Sequence, residues 1–424
     1  MKVLGLVAEH NPFHNGHLYH IEQSRNICNA EYVISIMSGN FIQRGEPAIV
    51  NKWARAKMAL LSGVDLVIEL PLPYAIASAE FFAYGAVKIM NDIEIVDCIC
   101  FGSEKGNLTE LDKIAEILSD EPEQYKEFLR AELDKGQSYP VSREIALKKY
   151  LKVNKILPDS YEDIISSSNN ILGIEYLKAL RKLKSPISPY TIKRVGNLYN
   201  TEFLTGIVSS ATSIRKYIME YQSNFKENLI CDALPETSLN ILKEEFSHGR
   251  GPVFAENYES IILALLRRMD ESSIKAFPYV SEGLENRIKK SALNSGTYKE
   301  LVDNISTSRY TRTRIQRILT SILTGLTSSD TDMFNLNNGP QYARVLGFND
   351  KGRYLLSKIK KVSAIPLVLK TANFINSRNP LLRRMLEIES KATDVYVLSY
   401  SNPEHKRAGQ EFTQNVIRVN TQNI

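Results

Sequence analysis

Tryptophan occurs once and cysteine four times in a chain of 424 residues. Cys28, Cys98, Cys100 and Cys231 are too few and too irregularly spaced for a disulfide framework or a zinc site. That excludes a small stapled secreted fold and points to a reducing, cytoplasmic compartment. Long apolar runs are missing too. The run from Val3 to Ala8 turns polar at Glu9-His10-Asn11, too soon for a signal-peptide core. No stretch is long enough to span a membrane. Internal repeats and low-complexity tracts are absent. An excess of one charge is also lacking: 53 Lys and Arg stand against 48 Asp and Glu, a formal charge of +5. Such mild basicity permits a polyanionic partner without requiring one.

The length calls for two or three domains. The first third alternates two patterns. Apolar runs at Val3–Ala8, Tyr32–Met37, Asp65–Pro71 and Ile95–Phe101 read as buried strands, with helical patterns between them. Continuous apolar strands separated by helices mean an α/β fold with a parallel sheet covered on both faces. Residues 107–183 read as mostly helical, and Ser188 to Val195 as a last strand. A boundary is expected near Ser223 to Asn228, dividing residues 1–225 from a mostly helical, basic segment 226–424. The polar end from Asn402 reads as an edge strand or a loose tail.

The chemistry concentrates after the first strand, at His14-Asn15-Gly16-His17. A strand–loop–helix crossover aims backbone N–H groups and the positive helix end at phosphates. Gly16 has no Cβ, which lets a nucleotide approach the backbone. His14 and His17 share a face of the first turn and can donate hydrogen bonds to ATP phosphates as pyrophosphate departs. The competing reading is a helix start that happens to carry histidines. His10 and His20 fall in the same stretch. Ser209-Ser210-Ala211-Thr212-Ser213-Ile214-Arg215 follows the last strand. The hydroxyls of Ser210 and Thr212 plus Arg215 suit the pyrophosphate end of ATP; alone, they equally suit an ordinary capped helix.

The H-x-G-H pattern resembles that of the nucleotidyltransferase superfamily, which implies a Rossmann-like (HUP-type) parallel sheet domain followed by a mostly helical C-terminal domain. Longer stretches carry a closer likeness. Val7-Ala8-Glu9-His10-Asn11-Pro12-Phe13-His14-Asn15-Gly16-His17, Met37-Ser38-Gly39-Asn40-Phe41-Ile42-Gln43-Arg44-Gly45-Glu46-Pro47-Ala48, Asp65-Leu66-Val67-Ile68-Glu69-Leu70-Pro71 and Ser209–Arg215 resemble the tRNA(Met) cytidine acetate ligase family. The likeness is close over the first half and looser over the second.

It implies that ATP and acetate form acetyl-adenylate and pyrophosphate. The acetyl group then passes to the N4 amine of the wobble cytidine of elongator tRNA(Met), giving N4-acetylcytidine. His14, His17 and Arg215 would be catalytic. ATP contacts would fall on Val7 through His20 (Leu18, Tyr19 and His20 included), and on Gly102, Asn169 and Arg194. Each single position also has a plainer reading: a strand-ending turn for Gly102, a helix cap for Asn169, a surface cation for Arg194. Mg2+ is expected with the triphosphate, but no carboxylate cluster declares itself as its ligand. Gln43, Arg44 and Lys52, in or beside a long polar loop, suit either acetate or the tRNA end of the reaction, or else a plain surface.

In the second half, Arg287, Lys289, Lys290, Lys299, Arg309, Arg312, Arg314 and Arg317 gather around Tyr298 and Tyr310. Arg344, Lys351, Arg353, Lys358, Lys360 and Lys361 form a second group. Such clusters neutralise phosphates and stack unpaired bases, or they are solvated helix faces. Two other functions compete: an adenylyltransferase acting on a small phosphorylated cofactor precursor, and a non-catalytic RNA-binding protein on a retained nucleotide fold. Oligomeric state is left open.

Overall fold

The structure is a computed structural model describing residues 1–156, 167–194, 209–221 and 230–420. Eight strands form one sheet, seven of them in the spatial order β10-β8-β5-β2-β1-β6-β7 and β9 alongside β8. They are β1 (Val3–Ala8), β2 (Tyr32–Ser38), β5 (Leu66–Leu70), β6 (Cys98–Ser103), β7 (Ser188–Lys193), β8 (Ala343–Phe348), β9 (Leu367–Val368) and β10 (Ile417–Arg418). Strands β5, β2, β1, β6 and β7 are mutually parallel, so their carboxyl ends open on one edge. This is the expected α/β sheet, and the four early strands match their apolar runs within three residues. Two core clusters lie on either side of it.

Helix α1 (Asn15–Cys28) follows β1, α2 (Lys52–Leu61) follows β2, and α3 (Ala79–Asp92) follows β5. Helix α4 (Ser168–Leu183) packs against α3 and leads into β7. Helix α5 (Ala211–Tyr221) carries the second motif. The second half is mostly helical, as expected, and includes α6 (Arg312–Thr324) and α7 (Pro380–Tyr396). It also contributes to the sheet: β8 pairs antiparallel with β5, and β10 forms the edge beyond it. The polar C-terminal stretch thus holds an edge strand. Val195 and the expected boundary at Ser223–Asn228 lie outside the described residues. Among the described residues, no helix is long and apolar enough to cross a membrane.

The segment read as a long polar loop after β2 is a buried hairpin, with β3 (Phe41–Ile42) antiparallel to β4 (Glu46–Pro47). Phe41 is fully buried in the core. Helical spacing did not reveal this, because two-residue strands carry no periodicity.

Lys52, expected near acetate or tRNA, is instead fully buried. Its Nζ donates to Glu69 Oε1 at 2.5 Å and to Glu389 Oε1 at 3.3 Å, and also pairs with Glu411. Arg344, expected in a basic surface patch, joins the same cluster through Glu69 and Glu411. Burial opposes the Lys52 charge, but Glu411, Glu69 and Glu389 outweigh it and hold the ammonium above its usual range. Burial, then Glu389, pushes Glu69 up to about 8 against the pull of Lys52. Three acidic side chains and two cations therefore join β5, β8, α2, α7 and the short helix Gln410–Thr413. Removing one cation strands a buried charge, which typically costs about 3–5 kcal/mol. Lys52→Met should lower unfolding stability by about that amount in denaturant titration; a loss below about 1 kcal/mol would contradict this account.

Candidate functional site: a crevice at the carboxyl edge of the sheet

The crevice floor is the turn after β1. Arg55, fully buried on α2, ties the ends of β1 and β2 together. Its Nη1 donates to the carbonyls of Glu9 at 2.6 Å and Ser38 at 3.2 Å, and its Nη2 to that of Gly39. Asn11 Oδ1 accepts from Ile49 N at 2.8 Å. Asn15 bonds the carbonyls of Asp232 and Ala233, anchoring the start of α1 from outside. Above this floor lies a cavity of about 250 Å³.

The two motif histidines close a reciprocal cap on α1. His14 Nδ1 accepts from Gly16 N at 3.0 Å, and His17 Nδ1 accepts from His14 N at 3.2 Å. A nitrogen that accepts a backbone N–H cannot carry its own proton. Both neutral rings are therefore protonated at Nε2, leaving each one donor to offer. Both rings line the cavity. Burial first, then Arg194 and Arg215, hold His14 down at about 3. Burial, then His14 and His10, keep His17 well below its usual range. Burial and Arg55 take His10 to about 3, and burial and Arg194 take His20 to about 4. The rings pack edge and face against one another, with His14 and His17 centroids 3.9 Å apart. Among the described residues, three buried polar atoms here have no partner: His10 Nδ1, His20 Nε2 and Asn11 Nδ2. Unsatisfied buried groups are costly, and in a lined cavity they mark where a polar ligand would bond.

The second motif meets the first. Arg215 Nη1 donates to the Asn11 carbonyl at 2.9 Å, and its Nη2 lies 3.8 Å from Glu46 Oε2. Ser210 Oγ accepts from Ser213 N at 3.1 Å, so it caps α5 while lining the cavity with Thr212. Capping and ligand-facing readings both hold for that residue. Gly102, Asn169 and Arg194 converge on the same wall. A Cβ on Gly102 would sit 3.0 Å from Arg194 Cγ, so the bare backbone makes room for the arginine stem rather than lying open. Arg194 Nη1 donates to Asn169 Oδ1 at 3.0 Å.

The cavity thus brings together Val7, Ala8, Glu9, His10, Asn11, His14, Gly16, His17, Tyr19, His20, Gly102, Asn169, Arg194, Ser210, Thr212 and Arg215. Pro12, Phe13, Asn15 and Leu18 stand outside it: Phe13 is fully buried in the core, and Leu18 packs against it. Gln43 and Arg44 line the wall, unlike Lys52.

Sequence reasoning passed over Glu104, whose Oε1 accepts from both Asn169 Nδ2 at 2.8 Å and Ser167 Oγ at 2.9 Å. It fixes the Asn169 amide so that Oδ1 faces Arg194. A carboxylate two residues past Gly102, just beyond β6, was the available signal. Glu46 and Arg55 were missed because nothing local marks a residue whose partners are brought to it only by the fold. Among the described residues, no three His, Cys, Asp or Glu side chains are grouped to hold a metal ion.

Much of the first basic cluster is engaged internally. Arg287 and Lys289 bond carbonyls at helix ends, and Arg314 holds the Tyr279 carbonyl at 2.7 Å. Arg309 and Arg312 are about half exposed and pair with Glu282 and Asp303. The second cluster exposes Lys351, Arg353, Lys360 and Lys361 on a helix that starts against Asp65, at the amino end of β5 and so opposite the crevice.

Over residues 1–411 the chain matches the family described as HIGH Nucleotidyl Transferase. It is 62% identical over 417 residues to a protein of Acetivibrio thermocellus named tRNA(Met) cytidine acetate ligase, covering 98% of this chain and 100% of that one. A protein of the same name from Thermoanaerobacter sp. is 45% identical, covering 99% and 100%. The crystal structure of Thermotoga maritima TmcAL bound with alpha-thio ATP superposes with a TM-score of 0.93 at 37% identity, covering 99% and 100%.

Acid stability follows from the four imidazoles around the cavity, His10 and His14 buried and His17 and His20 half-buried. The unfolded imidazoles take up protons near pH 6.5; in the fold His10, His14 and His20 do so only near pH 3–4, and His17 is held well below its usual range. Between those values the unfolded state binds more protons, so stability falls as pH falls. The melting temperature should drop from pH 6.5 to 4.5, and His20→Asn should make that drop shallower. Parallel curves for the two proteins would contradict the assignment of neutral buried rings.

Proposed function

Since the chain belongs to the HIGH nucleotidyl transferase family, among the tRNA(Met) cytidine acetate ligases, we propose that it activates acetate with ATP and acetylates the wobble cytidine of elongator tRNA(Met). The observation carrying this reading is the convergence, in one cavity, of two fixed imidazole Nε2–H donors with Arg194 and Arg215.

The triphosphate lies against the amino end of α1, where backbone N–H groups and the helix dipole favour anions. His14 and His17 donate to phosphate oxygens through Nε2. Arg215 and Arg194 supply full charges, and the Ser210 and Thr212 hydroxyls complete the pyrophosphate end. An acetate oxygen attacks the α-phosphorus, the bond to the β-phosphate breaks, and pyrophosphate leaves. The cytidine N4 amine then attacks the acetyl carbon. AMP leaves, and the amine loses one proton. Activation is required because the cytosine amine is a poor nucleophile. Positioning does much of the remaining work. Magnesium would accompany ATP and neutralise part of its phosphate charge; among the described residues no group of three His, Cys, Asp or Glu side chains is placed to hold it.

The anticodon loop is single-stranded, so its cytosine reaches the crevice without breaking a pair. Of the two basic groups, the first suits the tRNA. Arg309 and Arg312 are exposed near α6, and that helix reaches the crevice wall.

Acetate-dependent exchange of labelled pyrophosphate into ATP tests the first step. His17→Ala should slow exchange by at least about 10²-fold while tRNA affinity stays within about twofold. Replacing Arg309 and Arg312 with alanine should leave exchange intact and weaken tRNA acetylation. Exposed pairs contribute little to stability, so the fold should survive. Turnover only with a phosphorylated metabolite, and none with acetate, would replace this reading with the adenylyltransferase.

A further inference from the structure

The turn from Ile42 to Glu46 is held from both sides. On the crevice side, Gln43 N donates to Glu9 Oε1 at 2.8 Å. On the other side, three residues of α6 hold it. Arg317 Nε donates to the Gln43 carbonyl at 2.8 Å, Thr320 Oγ1 to the Gly45 carbonyl at 2.7 Å, and Gln316 Nε2 to Glu46 Oε1 at 3.0 Å. Gly45 sits at φ +76°, and a Cβ there would stand 2.3 Å from Arg317 N. The turn therefore lies directly on the helix backbone, in a conformation glycine adopts without strain. Its other face is the cavity wall at Gln43 and Arg44. From Glu46 the chain of contacts continues to Arg215, and from Arg215 to the Asn11 carbonyl beside the motif histidines.

We propose that Thr320, Arg317 and Gln316 are positioning residues for adenylate formation, acting through the Ile42–Glu46 turn to set Gln43, Arg44 and Arg215 at the crevice. This rests on the ligase reading for the reaction, but the tether itself rests on geometry alone. None of these three residues lines the cavity; they fix the wall that does. Arg312 lies five residues before Arg317, about 7–8 Å along the same helix. The element that holds the wall therefore also carries an exposed arginine at its amino end.

Thr320→Val keeps the side-chain shape and removes the hydroxyl. In acetate-dependent ATP–pyrophosphate exchange, kcat should fall about tenfold, because orientation is lost, with KM for ATP within about twofold. Thr320→Ser should restore kcat. Gly45→Ala, which pushes the turn off the helix, should lose more. Amide deuterium uptake across residues 41–47 should quicken in Thr320→Val and Gly45→Ala and stay slow in Thr320→Ser. Wild-type kcat and unchanged uptake in both Thr320→Val and Gly45→Ala would overturn the proposal. So would equal losses in Thr320→Val and Thr320→Ser that track their melting temperatures. If the unaltered protein shows no acetate-dependent exchange while uptake responds as stated, the tether stands and the ligase reading falls.

Discussion

The site depends on a hydrogen bond made the unusual way round: a backbone N–H donating to an imidazole. His14 and His17 each accept one at Nδ1, in the reciprocal pattern that hydroxyl and carboxylate side chains commonly make at helix starts. The arrangement works only while both rings are neutral, since a protonated Nδ1 would face another N–H. Burial supplies that neutrality. Burial in turn requires the β1 turn to be held shut by Arg55 and by Asn11. Tautomer, helix start and crevice floor are thus one constraint met three times.

That linkage explains what was legible in the sequence. Strands of continuous apolar residues announced the parallel sheet, because burial on both faces leaves a one-dimensional signature. The motif stood out because its residues are local: His14, Gly16 and His17 act within one helical turn. What escaped was long-range. Lys52 read as a loop-side cation, and only the fold brings Glu69, Glu389 and Glu411 to it. Glu104 is an unremarkable acid until Asn169 arrives 65 positions later. The short hairpin after β2 was hidden because turn composition resembles surface composition whether or not the turn is covered.

Charge told least. A basic stretch in sequence is a statement about composition, while the fold decides which charges face water. Arg344 was absorbed by a buried cluster, Arg287 and Lys289 by helix ends, and Arg314 and Arg317 by carbonyls of loops. The same clusters bind the two halves of the chain. Lys52 and Glu69 belong to the first half; Arg344, Glu389 and Glu411 belong to the second. With β8 paired to β5, the sheet itself crosses between them.

The crevice divides its work between two kinds of donor. Under the proposed function, Arg194 and Arg215 carry permanent charge that would attract the triphosphate over distance. His14 and His17 carry none, so they add direction without adding repulsion between cations crowded into one small cavity. Charged imidazoles would bind phosphate more strongly in the ground state, yet would give up the cap that orients them. Stabilising a departing pyrophosphate calls for donors already aimed at where charge will grow, with little reorganisation left to make. Neutral rings locked by backbone amides meet that demand, and their low proton affinity keeps the lock closed across the neutral pH range.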